Sequence, residues 1–255
     1  MADHEFYAVL PSNASADVFP NNKQHTFKIR AHSLFSSGDE KWKVGLAEIQ
    51  FPTSIKNVIG GHITVKFNEV DNPLRCNLHD GTYETIEYLL TEIKNILTSA
   101  QLENDISLTY DKIRNRVILR VHDKAPGFGI SFSQNIMNML GLTKKEGNFY
   151  NQGTYIENVA DITEGFSALY IYSDIVQSRL VGDTMAPLLR VVPIKRKLQA
   201  HPSNIHWVRF QNIQYIPVNK TQTDTIEINI RRDNGNVVPF ESGKVVLTLH
   251  FKKQS

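Results

Sequence analysis

The stretch that decides the fold lies near the C-terminus: Thr225-Ile226-Glu227-Ile228-Asn229-Ile230-Arg231, then Asp233-Asn234-Gly235-Asn236, then Val245-Val246-Leu247-Thr248-Leu249-His250-Phe251-Lys252. Ile226, Ile228 and Ile230 alternate with Glu227, Asn229 and Arg231. Val245, Leu247, Leu249 and Phe251 alternate with Val246, Thr248, His250 and Lys252. Successive side chains of a strand point to opposite faces, so a period of two marks a half-buried strand. Asn-Gly tolerates the positive φ of a tight turn, which predicts a hairpin joining the two runs.

Working outward, residues 106–110 and 117–121 alternate in the same way around a turn at 111–116, a second predicted hairpin. Further strands are expected at 6–10, 26–29, 42–51, 63–67, 168–172, 188–194 and 207–218. Two segments break the pattern. In 82–99, Ile86, Leu89, Leu90, Ile93, Ile96 and Leu97 follow helical spacing, with Thr82 as the expected N-cap and Glu84 in the first turn. Residues 134–140 read as a short helix between Ser133 and a stop at Gly141. The polar, turn-rich stretches 12–22 and 144–153 are expected to be exposed loops. The fold class is therefore mainly β: one sandwich domain over residues 1–255, with an α/β excursion (amphipathic helix, hairpin, short helix) inserted at about 78–145.

With 255 residues, 41% of them hydrophobic and 21% charged, the chain is an ordinary globular composition for one or two domains. A chain of this length buries roughly 70–75% of its unfolded surface without disulfides or metal. Its 28 basic and 26 acidic residues leave a net charge of +2, which argues against a dedicated nucleic-acid binder. Cys76 is the single cysteine, so no internal disulfide forms and a reducing compartment is expected. The first residues lack the pattern of a signal peptide, and no apolar run approaches the ~20 residues of a membrane span. Asn13-Ala14-Ser15 and Asn219-Lys220-Thr221 fit the glycosylation pattern and are read as chance.

The search for chemistry returns little. His201 and His206 are five apart, which suits neither a helix face nor a strand face, and one cysteine gives no thiolate cluster. Cys76 reads as a small apolar residue and not as a nucleophile. There is no Gly-x-Ser-x-Gly elbow and no phosphate loop; Gly127-Phe128-Gly129 lacks the third glycine, and Gly60-Gly61 reads as a turn. Asp161, Glu164, Asp174 and Asp183 sit in turn-like surroundings, where carboxylates cap backbone amides. No catalytic residue, metal site or cofactor follows, and no enzyme is expected. One charge feature stands out: Arg190 and the run Lys195, Arg196 and Lys197 are a solvated surface or an inward-facing contact to packaged DNA or a neighbouring subunit.

Several blocks carry a resemblance. They are residues 6–15 (FYAVLPSNAS) with Phe19-Pro20-Asn21-Asn22, and residues 42–52 (WKVGLAEIQFP), where Phe51 stands in place of a common tyrosine. They continue with residues 169–176 (LYIYSDIV) and Val181-Gly182-Asp183, then residues 187–193 (PLLRVVP), then residues 224–228 (DTIEI) through residues 239–245 (PFESGKV). In this order they resemble the minor capsid, or penton, proteins of Polinton (Maverick) elements and Polinton-like viruses. The resemblance implies a single jelly-roll that forms homopentamers at the vertices of an icosahedral virion capsid, beside a double jelly-roll major capsid protein. It further implies a product made in the host cell cytoplasm, for particles assembled there or in the nucleus, from a viral or integrated gene. Tyr172, Asp174, Gly182, Pro187 and Pro193 are read as setting strand ends and turns. The alternative is a binding module of the same fold, for a receptor or a glycan, with Tyr150 and Tyr155 as exposed loop aromatics.

Overall fold

The computed structural model describes residues 5–31, 41–67, 72–122, 126–194, 205–219 and 224–254. In chain order its elements are β1 (Glu5–Pro11), β2 (Thr26–Arg30), β3 (Trp42–Pro52), β4 (His62–Lys66), β5 (Leu74–Asn77), α1 (Ile86–Ser99), β6 (Ile106–Asp111), β7 (Arg116–Val121), β8 (Gly129–Phe132), α2 (Gln134–Leu140), β9 (Gly153–Ile156), β10 (Ala168–Ser173), β11 (Arg179–Val181), β12 (Thr184–Ala186), β13 (Leu188–Pro193), β14 (Ile205–Arg209), β15 (Ile216–Pro217), β16 (Thr225–Arg231) and β17 (Val246–Lys253). Among the described residues the protein is mainly β, as its alternation predicts: 46% strand or β-bridge against 10% helix.

The chain divides into two compact units. The first combines Met1–Ile55 with Phe166–Ser255, and the second is the contiguous Lys56–Gly165. The second unit reaches beyond residues 78–145 on both sides. Strand pairing explains the wider limits: β4 pairs with β8 and with β5, and β7 pairs with β9.

The first unit contains two sheets, ordered β1-β17-β3-β14 (with β15 also on β3) and β13-β10-β16-β2. Counting only these eight strands in chain order, they run first-eighth-third-sixth and fifth-fourth-seventh-second, so each sheet draws strands from both ends of the unit. Alternation aims the inner faces at one core, which includes Phe27, Val44, Leu46, Phe51, Ile171, Ile228, Leu249 and Phe251, all essentially inaccessible to water. Burying Leu247, Leu249 and Phe251 on β17 alone contributes about 1.5–3 kcal/mol for each side chain.

The hairpin predicted across Asp233-Asn234-Gly235-Asn236 needs correction. The turn itself forms: Gly235 takes φ +82°, its N–H donates to Arg232 O (3.1 Å), and Arg232 N–H donates to Asn236 O (2.8 Å). The returning arm reaches only Val237, which bridges to Arg231, and Val238, whose N–H donates to Ile230 O. Pro239 then offers no N–H to extend the ladder. The chain crosses to the other sheet, where β17 inserts between β1 and β3, while β16 lies between β10 and β2. Local turn chemistry is correct here, but the partners of each strand are set by which buried face it completes.

The strand predicted over 207–218 is also interrupted. β14 and β15 both pair with β3, and the segment between them passes over the outer face of β3 at Gly45. A Cβ on Gly45 would lie 2.5 Å from Ile213 Cγ2 and 2.6 Å from Gln214 O, so only glycine admits this crossing.

In the second unit the predicted hairpin β6–β7 forms over the expected residues, and β9 extends it. Helix α1 buries Ile86, Leu89, Leu90, Ile93 and Leu97. Its N-cap is Thr85, whose hydroxyl accepts from Tyr88 N–H, and not Thr82. Helix α2 covers the predicted residues and ends at Gly141 in the left-handed conformation. Tyr150, in a stretch predicted to be exposed, is fully buried and exchanges both backbone hydrogen bonds with Ile130.

Candidate functional site

The residues that sequence reasoning singles out for chemistry act mainly as structural groups. Asp161 accepts from Thr163 N–H and Oγ1–H and from Gly165 N–H, which ties off a turn. Glu164 accepts from Asn138 Nδ2 at 2.7 Å. Asp183 sits beside Gly182 in the turn between β11 and β12. Cys76 is a half-buried free thiol on β5. Among the described residues, no group of three or more His, Cys, Asp or Glu side chains could hold a metal. His206 packs edge-on against Phe51, while His201 lies outside the described residues.

Arg190 faces inward at the edge of its sheet, opposite Ile171. Its guanidinium lies 3.9 Å from the centre of the Phe210 ring and donates to Asn212 O at 3.0 Å. Burial, with Arg179 nearby, lowers its pKa from the ordinary arginine value. Lys195, Arg196 and Lys197 lie outside the described residues.

The loop aromatics of the binding-module alternative are also engaged. Tyr150 donates its hydroxyl to Glu157 Oε2 (3.2 Å) and accepts from Lys144 N–H (3.1 Å). Burial pushes its phenol up to about 12, and the Glu157 carboxylate adds to the shift. Tyr155 is half-buried, packs edge-on against Tyr150 at 4.7 Å, and donates to Asn151 O.

Two features of the first unit escape a motif search. The first is a cluster on the outer face of β17. His250 points outward yet is buried, because Tyr7 stacks on it (4.2 Å) and Tyr215 Oη lies 2.6 Å from its Nδ1. Tyr215 arrives there on the segment that crosses Gly45, and Lys252 Nζ lies 3.8 Å from the Tyr215 ring. Burial first, then Tyr7 and Glu5, raises the Tyr215 phenol. On the same sheet Tyr7, Val9, Ile205 and Trp207 stand 56–63% exposed.

The second is a groove of about 430 Å³ lined by Tyr172, Ser173, Asp174, Ala186, Pro187, Glu227, Asn229 and Arg231. It opens where the β10–β13 register shifts between Ile171 and Tyr172. Glu227, Asn229 and Arg231 are the outward positions of β16, so the alternation names their face, although nothing local predicts the bulge that hollows it. Asp174 Oδ1 accepts from Glu227 N–H (2.8 Å), and Glu227 pairs with Lys28 (3.1 Å). Arg231 is held by Asn229 Oδ1 (3.1 Å) and Gly235 O (2.7 Å). Burial raises the Tyr172 phenol, which therefore stays a neutral donor.

The fold defines a class: a two-sheet β-sandwich with a contiguous α/β unit inserted in its chain. Within that class, the chain is structurally similar to the penton protein of mavirus, with a TM-score of 0.51 and 14% identity over 98% of this chain and 99% of that one. A chain of the Sputnik virophage structure aligns over 98% of both chains at 10% identity and a TM-score of 0.49. No family model and no curated protein sequence matches. No helix among the described residues is long and apolar enough to cross a membrane.

Proposed function

We propose that the protein is a structural capsid protein, a penton that closes into pentamers at the vertices of an icosahedral viral or Polinton capsid. The observation that carries this reading is the end-to-end correspondence with the mavirus penton protein, which leaves only 1–2% of either chain unmatched. The role asks for a rigid sandwich with contact surfaces and no catalytic pocket, which makes the protein a non-enzymatic component of the virion. Neighbours around a fivefold axis meet head to tail through two different surfaces. The outer face carrying Tyr7, Val9, Ile205 and Trp207 offers apolar side chains for one of them. A double jelly-roll major capsid protein is the second partner. A weak contact between packaged DNA and Lys195, Arg196 and Lys197 belongs to the same reading, whereas Arg190 is committed to Phe210 and Asn212.

Native mass spectrometry tests the proposal. Each chain weighs 29.0 kDa, so the expected species is about 145 kDa, roughly five copies in a closed ring. Monomers alone at high micromolar concentration would count against it.

A further inference from the structure

We propose that the groove over the outer face of β10 and β16 binds a neutral saccharide of one or two rings, a function beyond capsid architecture. Its volume of about 430 Å³ falls within the range of roughly 300–1,000 Å³ typical of small-molecule sites. Three planar polar side chains, Glu227, Asn229 and Arg231, rise from alternate positions of β16, about 6.7 Å apart at strand spacing. Directly opposite Asn229, Tyr172 contributes an aromatic surface with a neutral hydroxyl, and Ala186 and Pro187 add apolar wall. Acceptors (Asp174, Glu227 and Asn229) and donors (Arg231 and Tyr172) are mixed around one cavity. Sugar hydroxyls both donate and accept, and sugar C–H faces pack on aromatic rings, so this mixture suits them.

Charge favours an uncharged ligand. Lys28 offsets Glu227, which leaves one carboxylate, Asp174, and one guanidinium, Arg231, among the lining residues, so neither sign is in surplus. The polar groups are already held in place by the bonds of Arg231 to Asn229 and Gly235 and of Asp174 to Glu227 N–H, which lowers the ordering cost of binding.

The test is saturation-transfer NMR on the full chain with glucose, galactose, mannose, N-acetylglucosamine, lactose and maltose, followed by titration of any responder. Saturable binding of at least one sugar is expected, weakened about tenfold or more in Tyr172→Ala and in Asn229→Ala, as loss of a stacking or hydrogen-bonding partner predicts. Both side chains face outward, so circular dichroism and the native mass spectrum should match the parent protein. The sugar result and the assembly result therefore fail independently. No saturable response to any of the six sugars would overturn the proposal, as would binding that both variants leave unchanged.

Discussion

The two units of this protein reach stability by different routes. The first is assembled from chain segments at both ends: β1 pairs with β17 along seven positions, from Glu5 with Lys252 to Pro11 with Val246. The second is contiguous, and its central hairpin closes around a short turn, with Tyr110 opposite Val117. Contacts between distant chain positions form late, because loop closure must come before they contribute. The first unit therefore forms only after β1 and β17, far apart in the chain, have met, whereas the second closes locally.

Spectroscopic probes separate the two units. Both tryptophans, Trp42 and Trp207, lie in the first unit, and both α-helices among the described residues lie in the second. Phe251 is fully buried and stacks on Phe6 at 4.9 Å. Phe251→Ala should destabilise the fluorescence-monitored urea transition by about 3–5 kcal/mol, with a smaller effect on the helical circular dichroism signal. Equal effects on both probes would erase the distinction.

Each unit also contains a glycine that admits a neighbouring segment. Gly45→Ala meets Ile213 and Gln214 O, and Gly141→Ala meets Asn158 O at 2.5 Å while also holding φ +73°. Each should cost about 1–3 kcal/mol in chemical denaturation, the first by fluorescence and the second by circular dichroism. A smaller effect sharpens the second unit alone. Tyr150 ionises near 12 folded and at about 10 unfolded, so its contribution is full below pH 10 and falls as pH rises toward 12. Melting temperatures of Tyr150→Phe should show less decline than the parent across that window. Smallest of all, Thr85→Ala should remove about 1 kcal/mol of helix capping. Thr82→Ala, which deletes a buried hydroxyl with no partner, should be close to neutral in the same denaturation series.

Strand identity was legible because alternation survives wherever one face is buried, and helix α1 because Ile86, Leu89, Leu90, Ile93 and Leu97 keep helical spacing. Pairing was less legible. Asn234-Gly235 correctly signals a turn, but whether β17 returns beside β16 or crosses to β1 and β3 depends on distant faces. The N-cap moved from Thr82 to Thr85 because two threonines compete within one turn, and the docking of Ile86 in the core decides between them. Tyr150 looked exposed because its neighbours are polar; its burial comes from pairing with Ile130, twenty residues upstream in the chain. The groove was hidden for a similar reason. Three of its side chains share the outward face of β16, which alternation shows, but Tyr172, Ala186 and Pro187 join them through strand pairing that no local signal marks.

On the proposed function, the flanks of the sandwich close a ring of identical copies. Electron-microscopic class averages of the purified protein test it most directly. Fivefold rings are the predicted result; single particles with no rotational symmetry, or closed rings of another order, would contradict it.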